Sequence, residues 1–392
     1  MSLYFILMVF MEMVEIMKNN ENKIIYFYQN GRKSRLKENV PYAKEMFYGY
    51  HHFEKKGYDT EIIEFGSQKT LFGKYFFLII EKRLRNILKL PLYWSFVTNK
   101  INYKKICQSK YLIFANNRMA CSVLPMVIIS KIFGNTFTSL SFVMGLFSRT
   151  PKYKILISLQ KIYTFLTLYF IDKFIFLSEG EFNYASNNYP KLKSKFYHFP
   201  FSVDLEIWRN DNSQKNVEIL FVGNDGNRDF ELAELISKNM SNAKFTFVSE
   251  EINKSNTHKN SKIFSGSWGN PKIDDIELRG LYQKSKLTII PLKDSLQPSG
   301  QSVALQSIAC GTPVLITKTE GFWDTKNFQD QKNIFFAKDN DLSSWIDKIK
   351  NILEMDSERI GKVISNGIET VYKHYDLNEF SKKIEAILLD RK

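Results

Sequence analysis

The sequence predicts an α/β protein of two domains, each built on a parallel, doubly wound sheet, that face each other across a cleft. The chain has 392 residues, which is too long for a single hydrophobic core. In both halves short apolar runs alternate with helical runs, the pattern of parallel strands joined by helices. This alternation breaks over residues 198–216, where the polar run RNDNSQKN is typical of a linker.

The first half begins with the strand KIIYFYQ, residues 23–29. A helix is expected over residues 41–56, because Pro41 suits a first helical turn and Gly57 ends it. The remaining strands are expected at residues 59–65, 111–116, 136–143 and 173–178, and the remaining helices at about 71–100, 120–133 and 153–169.

The second half restarts with VEILFVG, residues 217–223, followed by the glycine-containing turn NDGNRDF. Further strands are expected at residues 244–249, 286–292 and 313–317. Helices are expected at residues 229–238, 274–285 and from 342 to the end. Ligands of such sheets bind at the carboxyl ends of the strands, so the cleft is the predicted site.

Four segments follow from this pattern. Residues 1–22 are an apolar N-terminal extension, too short to span a bilayer and unlike a signal peptide. It is either an interfacial anchor or a result of start-codon choice, with Met17 as the alternative start. Residues 23–203 and 204–375 are the two Rossmann-like domains. The C-terminal helix, residues 376–392, is expected to pack back on the first domain.

Cysteine and histidine usage indicates neither disulfides nor a metal site. The three cysteines, Cys107, Cys121 and Cys310, are too few and too irregularly spaced. The five histidines show no metal-binding spacing. We therefore expect reduced thiols in a cytoplasmic protein that needs no metal and no cofactor.

Basic residues are concentrated in the first half. The net charge is +14, and residues 1–200 contribute +16 to it, with 29 Lys and Arg against 13 Asp and Glu. No acid occurs between Glu81 and Asp172, where 14 basic residues alternate with apolar ones. This pattern favours an anionic membrane surface, whereas no zinc-finger spacing or Arg-rich tail indicates nucleic acid. We expect peripheral association with the inner face of the membrane.

One segment predicts an anion site. In QPSGQSVALQSIACGTPV, residues 297–314, a short helix is framed by glycine and proline. Ser299 is expected to cap this helix, so that the free N–H groups of its first turn face an anion such as phosphate. Gly311 is expected to end it. An ordinary capped helix is the alternative interpretation.

Four motifs, in this order, resemble those of glycosyltransferases with the GT-B fold, in particular family 4. FIFLSEGEF is similar to the last strand of their N-terminal domain, and HFPFSVDLEIW to their interdomain signature. FVGNDGNRDF resembles their phosphate loop, and QPSGQSVALQSIACGTPVLITKTEGFWD their donor-binding segment. The resemblance covers residues 174–324. It implies an acceptor-binding N-terminal domain and a nucleotide-sugar-binding C-terminal domain.

The resemblance also implies roles for single residues. Gly223 would let the donor diphosphate approach, and Arg228 and Lys293 would stabilise its charge in the transition state. A salt bridge of Arg228 with Asp229 or Glu231, and a solvated Lys293, are the alternatives. Further donor contacts are expected from Asn224, Ser299, Gly300, Gln301, Ser302, Gln306 and the possible stacking surface Trp268. Acceptor contacts are expected from Asn30, Gly31, Arg32, Asn116 and Gly145.

Three departures from the family pattern stand out. Pro298 and Gln306 occupy the places of two glutamates; Gln306 can still bond ribose hydroxyls, whereas Pro298 cannot contact the sugar in the same way. Asn224 occupies the place of a frequent arginine. Gly145 lies where members often carry a histidine, and Asn116 is a candidate substitute.

Together these observations predict a glycosyltransferase. It would move a sugar from a nucleotide-sugar to a membrane lipid, lipid-linked glycan or polysaccharide, with retention of configuration and without metal. In an inverting route Glu45, His51 or His52 would be candidate bases, although all three are expected on the surface of the first helix. The alternatives are a non-catalytic homologue that binds nucleotide or membrane as an assembly subunit, and a sugar-nucleotide epimerase.

Overall fold

The computed structural model describes residues 20–38, 40–65, 75–266 and 272–390. Most of the apolar extension and the beginning of the helical region predicted at 71–100 lie outside this range. The described residues form two six-stranded sheets, both entirely parallel. The predicted fold class, two doubly wound parallel-sheet domains, is confirmed.

The first sheet has the strand order β2-β1-β3-β4-β5-β6. Its strands are β1 (Asn20–Tyr28), β2 (Asp59–Glu64), β3 (Ser109–Phe114), β4 (Thr138–Val143), β5 (Lys173–Phe176) and β6 (Phe196–His198). Its helices are α1 (Arg32–Arg35), α2 (Tyr50–Lys55), α3 (Tyr75–Leu88), α4 (Trp94–Val97), α5 (Lys100–Cys107), α6 (Asn117–Ile132), α7 (Lys154–Phe170) and α8 (Glu179–Asn188).

The second sheet has the order β12-β11-β10-β7-β8-β9. Its strands are β7 (Val217–Val222), β8 (Phe245–Val248), β9 (Lys262–Phe264), β10 (Ser285–Ile290), β11 (Val314–Thr317) and β12 (Phe335–Ala337). The helices that follow in the chain are α9 (Phe230–Asn239), α10 (Asp275–Lys284), α11 (Gln301–Ala309), α12 (Leu342–Leu353), α13 (Ser357–His374) and α14 (Leu377–Leu388).

Helices cover both faces of each sheet, which explains why the strands are apolar without alternation. Along β1, Ile25 and Phe27 face one core while Ile24 and Tyr26 face another. The three-residue strands β6, β9 and β12 were not predicted. All three are edge strands, and their runs are too short to give a periodic signal.

The predicted continuous helix over residues 41–56 is wrong. The structure has a 3-10 turn, Glu45–Phe47, and then α2. Tyr48 and Gly49 separate the two with left-handed φ angles of 49° and 84°. This break turns Glu45 inward, where it is fully buried rather than on a helix surface.

The C-terminal helix α14 packs on the first sheet. The Phe380 ring lies 6.0 Å from that of Phe142, measured between centroids, and Glu385 is paired with His52 at 2.7 Å. The chain therefore crosses between the domains twice, first after β6 and again before α14. The exact domain boundaries stay a prediction. No helix among the described residues is both long and apolar enough to cross a membrane.

Candidate active site

A cavity of about 440 Å³ lies between the two sheets, at the carboxyl ends of their strands. This volume is in the range of small-molecule and cofactor sites. The first domain contributes residues that follow β1, and the second contributes residues from the ends of β7, β8 and β9 and from α10 and α11. The residues that line the cavity include Asn30, Arg32, Arg35, Ala43, Glu45, Trp208, Gly223, Asn224, Val248, Phe264, Gly266, Ile273, Asp275, Leu278, Ser302 and Gln306.

Two glycines make room for Arg228 beside the part of the cavity that Gly223 and Ser302 line. Gly223 has φ 144°, and a Cβ built on it would lie 2.4 Å from Arg228 Nε. Gly300 has φ 79°, and its Cβ would lie 2.7 Å from Arg228 Nη1. The guanidinium is therefore held between the end of β7 and the beginning of α11.

Arg228 is a buried cation with unused donors. Its side chain is 3% exposed and pairs with Asp225 at 3.0 Å, and not with Asp229 or Glu231, the partners considered from the sequence. Nη1 has no hydrogen-bond partner in the described part of the chain. Buried donors of this kind are normally satisfied, so an anion at the beginning of α11 would supply what the protein does not.

The predicted Ser299 cap of α11 is wrong. The residue before the helix is Gly300, and no side chain caps it. Ser299 Oγ instead accepts a hydrogen bond of 2.9 Å from Asn227 Nδ2, because the left-handed Gly300 turns the preceding chain toward the loop after β7. Without a capping side chain, the first N–H groups of α11, those of Gln301 and Ser302, stay available to a ligand. Gly311 follows the helix with φ 75°, as predicted.

Asn224 and Lys293 have surroundings that the sequence did not indicate. Asn224 Nδ2 donates to the Gly266 carbonyl at 2.9 Å and Oδ1 accepts from the Glu250 N–H at 2.7 Å, so this side chain ties the loop after β7 to those after β8 and β9. Lys293 is exposed, and its N–H donates to Asn227 O at 2.8 Å. Trp268 lies outside the described residues.

Gln306 is held by the first domain. Its Nε2 donates to Glu45 Oε1 at 2.9 Å, and its Oε1 accepts from the Tyr282 hydroxyl at 3.3 Å. Trp208, in the linker, donates from Nε1 to the same Glu45 oxygen at 2.7 Å. The amide nitrogen and the amide oxygen of Gln306 therefore both have protein partners. Glu45 lines the cavity beside Gln306.

Burial is the main influence on the pKa of Glu45. The carboxyl group is fully buried, and this desolvation raises its pKa from 4.5 to about 7, although the hydrogen bond from Gln306 acts in the opposite direction. Oε2 has no hydrogen-bond partner in the described part of the chain. Glu45 is among the residues that line the cavity, so its wall contains a carboxylate with one buried oxygen that the described residues do not satisfy.

Other polar contacts also join the segment before α2 to the second domain. Asp275, the first residue of α10, pairs with Arg35 and accepts from the Ala43 N–H at 2.8 Å. The Lys44 N–H donates to Asp204 in the linker at 3.0 Å. These contacts close the cavity on the side of α10.

The predicted acceptor residues do not all reach the cavity. Asn30 and Arg32 line it, and Gly31, with φ 107°, turns the chain into α1. Asn116 instead caps α6 by accepting from the Met119 N–H at 3.1 Å. Gly145 lies against the second domain, because a Cβ on it would be 2.6 Å from Gln297 Oε1.

A second buried carboxylate, Glu181, positions the Gly145 loop. It accepts from the N–H groups of Gly145 at 2.8 Å and Phe147 at 3.0 Å. Burial raises its pKa to about 7 despite these hydrogen bonds. Glu181 belongs to the quoted motif FIFLSEGEF, but that motif alone does not show which loop its carboxylate holds.

Sequence reasoning missed Arg35, Trp208 and Asp275 and misplaced Glu45. Their roles depend on contacts across the cleft, which have no local periodicity. Only Trp208 had a signal: it ends the interdomain motif HFPFSVDLEIW. In the described residues, no group of three or more His, Cys, Asp or Glu side chains is arranged to hold a metal ion.

No protein-family model matches this sequence, and no relative was found among curated proteins. Solved structures do match. A glycosyltransferase from Rickettsia africae has a TM-score of 0.63 at 12% identity, over 95% of this chain and 100% of that one. HepE from Anabaena, in complex with UDP and glucose, has a TM-score of 0.61 at 10% identity, over 93% and 99%. The N-terminal domain of trehalose-6-phosphate phosphatase from Candida albicans has 0.61 at 12%, over 95% and 98%.

These likenesses extend over nearly the whole chain and show the fold. The two parallel-sheet domains have the GT-B architecture of the matched glycosyltransferases. At these identities the likeness does not transfer an activity, and membership of family 4 stays a prediction.

Proposed function

We propose that this protein is a glycosyltransferase that moves a sugar from a nucleotide-sugar donor to a lipid or glycan acceptor, as the resemblance to family 4 implies. The observation that carries the proposal is the group that Gly223, Gly300 and the buried Arg228 form at the uncapped beginning of α11, beside the cavity that Gly223 and Ser302 line. Helix N-termini and buried cations both favour bound phosphate groups.

The chemistry follows from that arrangement. When the sugar–phosphate bond breaks, negative charge grows on the diphosphate. Arg228 and the N–H groups of Gln301 and Ser302 are fixed before the reaction, so they stabilise this charge without reorganisation. Lys293, on the adjacent exposed loop, is the second cation of the proposal. In a retaining, metal-independent route the leaving phosphate itself removes the proton of the acceptor hydroxyl.

The acceptor side of the proposal is an exposed apolar face on α7. Its exposed side chains recur at helical spacing: Ile155, Leu159, Ile162, Phe165 and Tyr169. The neighbouring α3 adds Ile79, Ile80 and Ile87, and exposed lysines and arginines flank both helices. An apolar helix face bordered by basic residues suits the headgroup region of an anionic membrane, where a lipid or lipid-linked acceptor would be located.

Vesicle binding tests this membrane face. We expect wild type to sediment with phosphatidylglycerol-containing vesicles at low salt and to be released at high salt. Changing Ile155 and Ile162 to Ser should weaken binding at least tenfold, because each buried isoleucine contributes about 1.5 kcal/mol or more. Ile132→Ser, at an exposed isoleucine on α6, is the matched control. Equal binding by all three proteins would contradict the assignment of the face.

A donor panel tests the activity. UDP-, GDP-, ADP- and dTDP-sugars are incubated with the protein and a membrane lipid extract, and nucleoside diphosphate release is measured beside Arg228→Ala. We expect one donor to react, more with lipid than without, and the variant to be at least a hundredfold slower. Binding without turnover of any donor would indicate a non-catalytic nucleotide-binding subunit. Epimerisation of a donor without release would indicate an epimerase.

A further inference from the structure

The proposed transfer chemistry does not use the buried carboxylate of Glu45. It comes from the first domain, yet its contacts are with the linker and with α11 of the second. Trp208 and Gln306 both donate to Oε1, which leaves Oε2 without a partner in the described part of the chain. An ionised carboxylate accepts hydrogen bonds but cannot donate them. A donor such as a hydroxyl group would therefore satisfy Oε2.

The geometry of α11 gives the distance between Glu45 and the proposed phosphate site at the beginning of that helix. Ser302 lies in the first turn of α11, and Gln306 lies four residues later. Four residues of α-helix rise about 6 Å. Glu45, bonded to Gln306, is therefore about one turn away from the helix end that faces the phosphates.

The cavity lining also contains a set of apolar side chains from the second domain. They include Val248 and Phe264, from the ends of β8 and β9, and Ile273 and Leu278, in and just before α10. A planar aromatic base suits such a lining, as apolar pockets with few polar groups usually hold ring systems. In a nucleoside diphosphate the ribose joins the base to the phosphates. A ribose between these apolar side chains and the beginning of α11 would lie beside Glu45.

We propose that Glu45 Oε2 accepts a hydrogen bond from a ribose hydroxyl of the nucleotide-sugar. The first domain then contacts the ribose of a nucleotide that is bound to the second domain. This inference rests on the proposed function, since it requires a nucleoside diphosphate in the cavity. It differs from the sequence prediction, which gave the ribose contact to Gln306. In the structure Gln306 instead orients the carboxylate that makes this contact.

The energetics agree with a ligand at this place. Burial without full hydrogen bonding raises the pKa of Glu45 to about 7, so the ionised form is poorly compensated in the free protein. A ribose hydroxyl would supply a missing donor. Because it joins both domains, the same contact makes nucleotide affinity depend on the first domain.

The test compares UDP with 2′-deoxy-UDP and 3′-deoxy-UDP by calorimetric titration. UDP is the probe because HepE, one of the matched structures, holds it. Wild type should bind UDP about 10- to 100-fold more tightly than at least one deoxy analogue, the range of a hydrogen bond to a charged group. In Glu45→Met, which removes the acceptor at similar length, this ratio should fall to within about threefold. Glu45→Gln should give an intermediate ratio.

Glu181→Gln is the matched control, since Glu181 is also a buried carboxylate but holds the Gly145 loop. It should keep the wild-type ratio. Thermal unfolding of each variant establishes that it is folded at the titration temperature, and Glu45→Gln serves if Glu45→Met is not. If wild type binds UDP but the ratio is the same in both Glu45 variants, this inference is overturned and the proposed function stands. If wild type binds no nucleoside diphosphate in the series UDP, GDP, ADP and dTDP, the proposed function falls as well.

Discussion

Gly223→Ala tests the geometry at the phosphate end of the cavity. The added Cβ would lie 2.4 Å from Nε and 3.1 Å from Cζ of Arg228. It would also impose a side chain on a backbone with φ 144°, which residues other than glycine rarely adopt. Arg228 must therefore move, and its ion pair with Asp225 at 3.0 Å is disturbed.

Two magnitudes follow from this perturbation. Backbone strain of this kind lowers the free energy of unfolding by about 1–3 kcal/mol, or about 2–12 °C in Tm for a domain of this size. Displacing Arg228 removes one charge-assisted contact to the diphosphate, about 1.5–3 kcal/mol. The Kd for UDP should therefore rise about 10- to 100-fold.

Calorimetric titration with UDP and thermal unfolding measure these two effects. Gly280→Ala is the control, because Gly280 lies within α10 and an added Cβ there meets no atom within 4 Å. This control should gain about 0.5–1 kcal/mol from its higher helix propensity and keep the wild-type Kd. A Gly223→Ala protein that binds UDP within threefold of wild type would refute the placement of the diphosphate beside Arg228.

Three further predictions concern the contacts across the cleft. Trp208→Phe removes a donor to Glu45, so it should raise the pKa of Glu45 further and destabilise the protein by about 1–3 kcal/mol. Carboxyl NMR titration measures the pKa, and urea denaturation measures the stability. An unchanged pKa would contradict the contact. Because folding raises the pKa of Glu45 from 4.5 to about 7, the folded protein keeps a proton that the unfolded chain releases in this window. The contribution of Glu45 to stability should therefore fall as pH rises from about 4.5 to 7, so the wild-type free energy of unfolding minus that of Glu45→Gln should decrease by up to about 3 kcal/mol. A difference that stays constant over this pH range in denaturation curves would refute this. Asp275→Ala removes the carboxylate that pairs with Arg35 and accepts from the Ala43 N–H, so stability should drop by about 1–3 kcal/mol and hydrogen exchange at Ala43 should accelerate; unaltered exchange would argue against this closure of the cleft.

Much of the fold is predictable from the sequence because it depends on local signals. The strands VEILFVG and KFIFLS are apolar on both faces, and the glycines after β7 and around α11 mark turns. Such runs identify strands in parallel sheets whatever their partners are. The two-domain architecture follows from the break in this alternation.

The candidate site was predictable only in part. Gly223, Gly300 and Arg228 lie together because they are close to strand and helix ends that meet in any sheet of this type. Glu45 was misplaced because two left-handed residues, Tyr48 and Gly49, interrupt an otherwise helical pattern. The engagement of Gln306 was invisible for a different reason: its partner comes from the other domain, 261 residues away in the chain.

Transfer of labelled sugar to an acceptor tests the central claim most directly. The donor that reacts in the nucleotide-sugar panel is supplied with a radiolabelled sugar, together with a membrane lipid extract and either wild type or Arg228→Ala. We expect label in the lipid or glycan fraction, in a ratio of roughly 1:1 to the nucleoside diphosphate released, and a loss of at least a hundredfold in the variant. Label that remains in the nucleotide fraction, or appears only as free sugar at equal rates in both proteins, would contradict it.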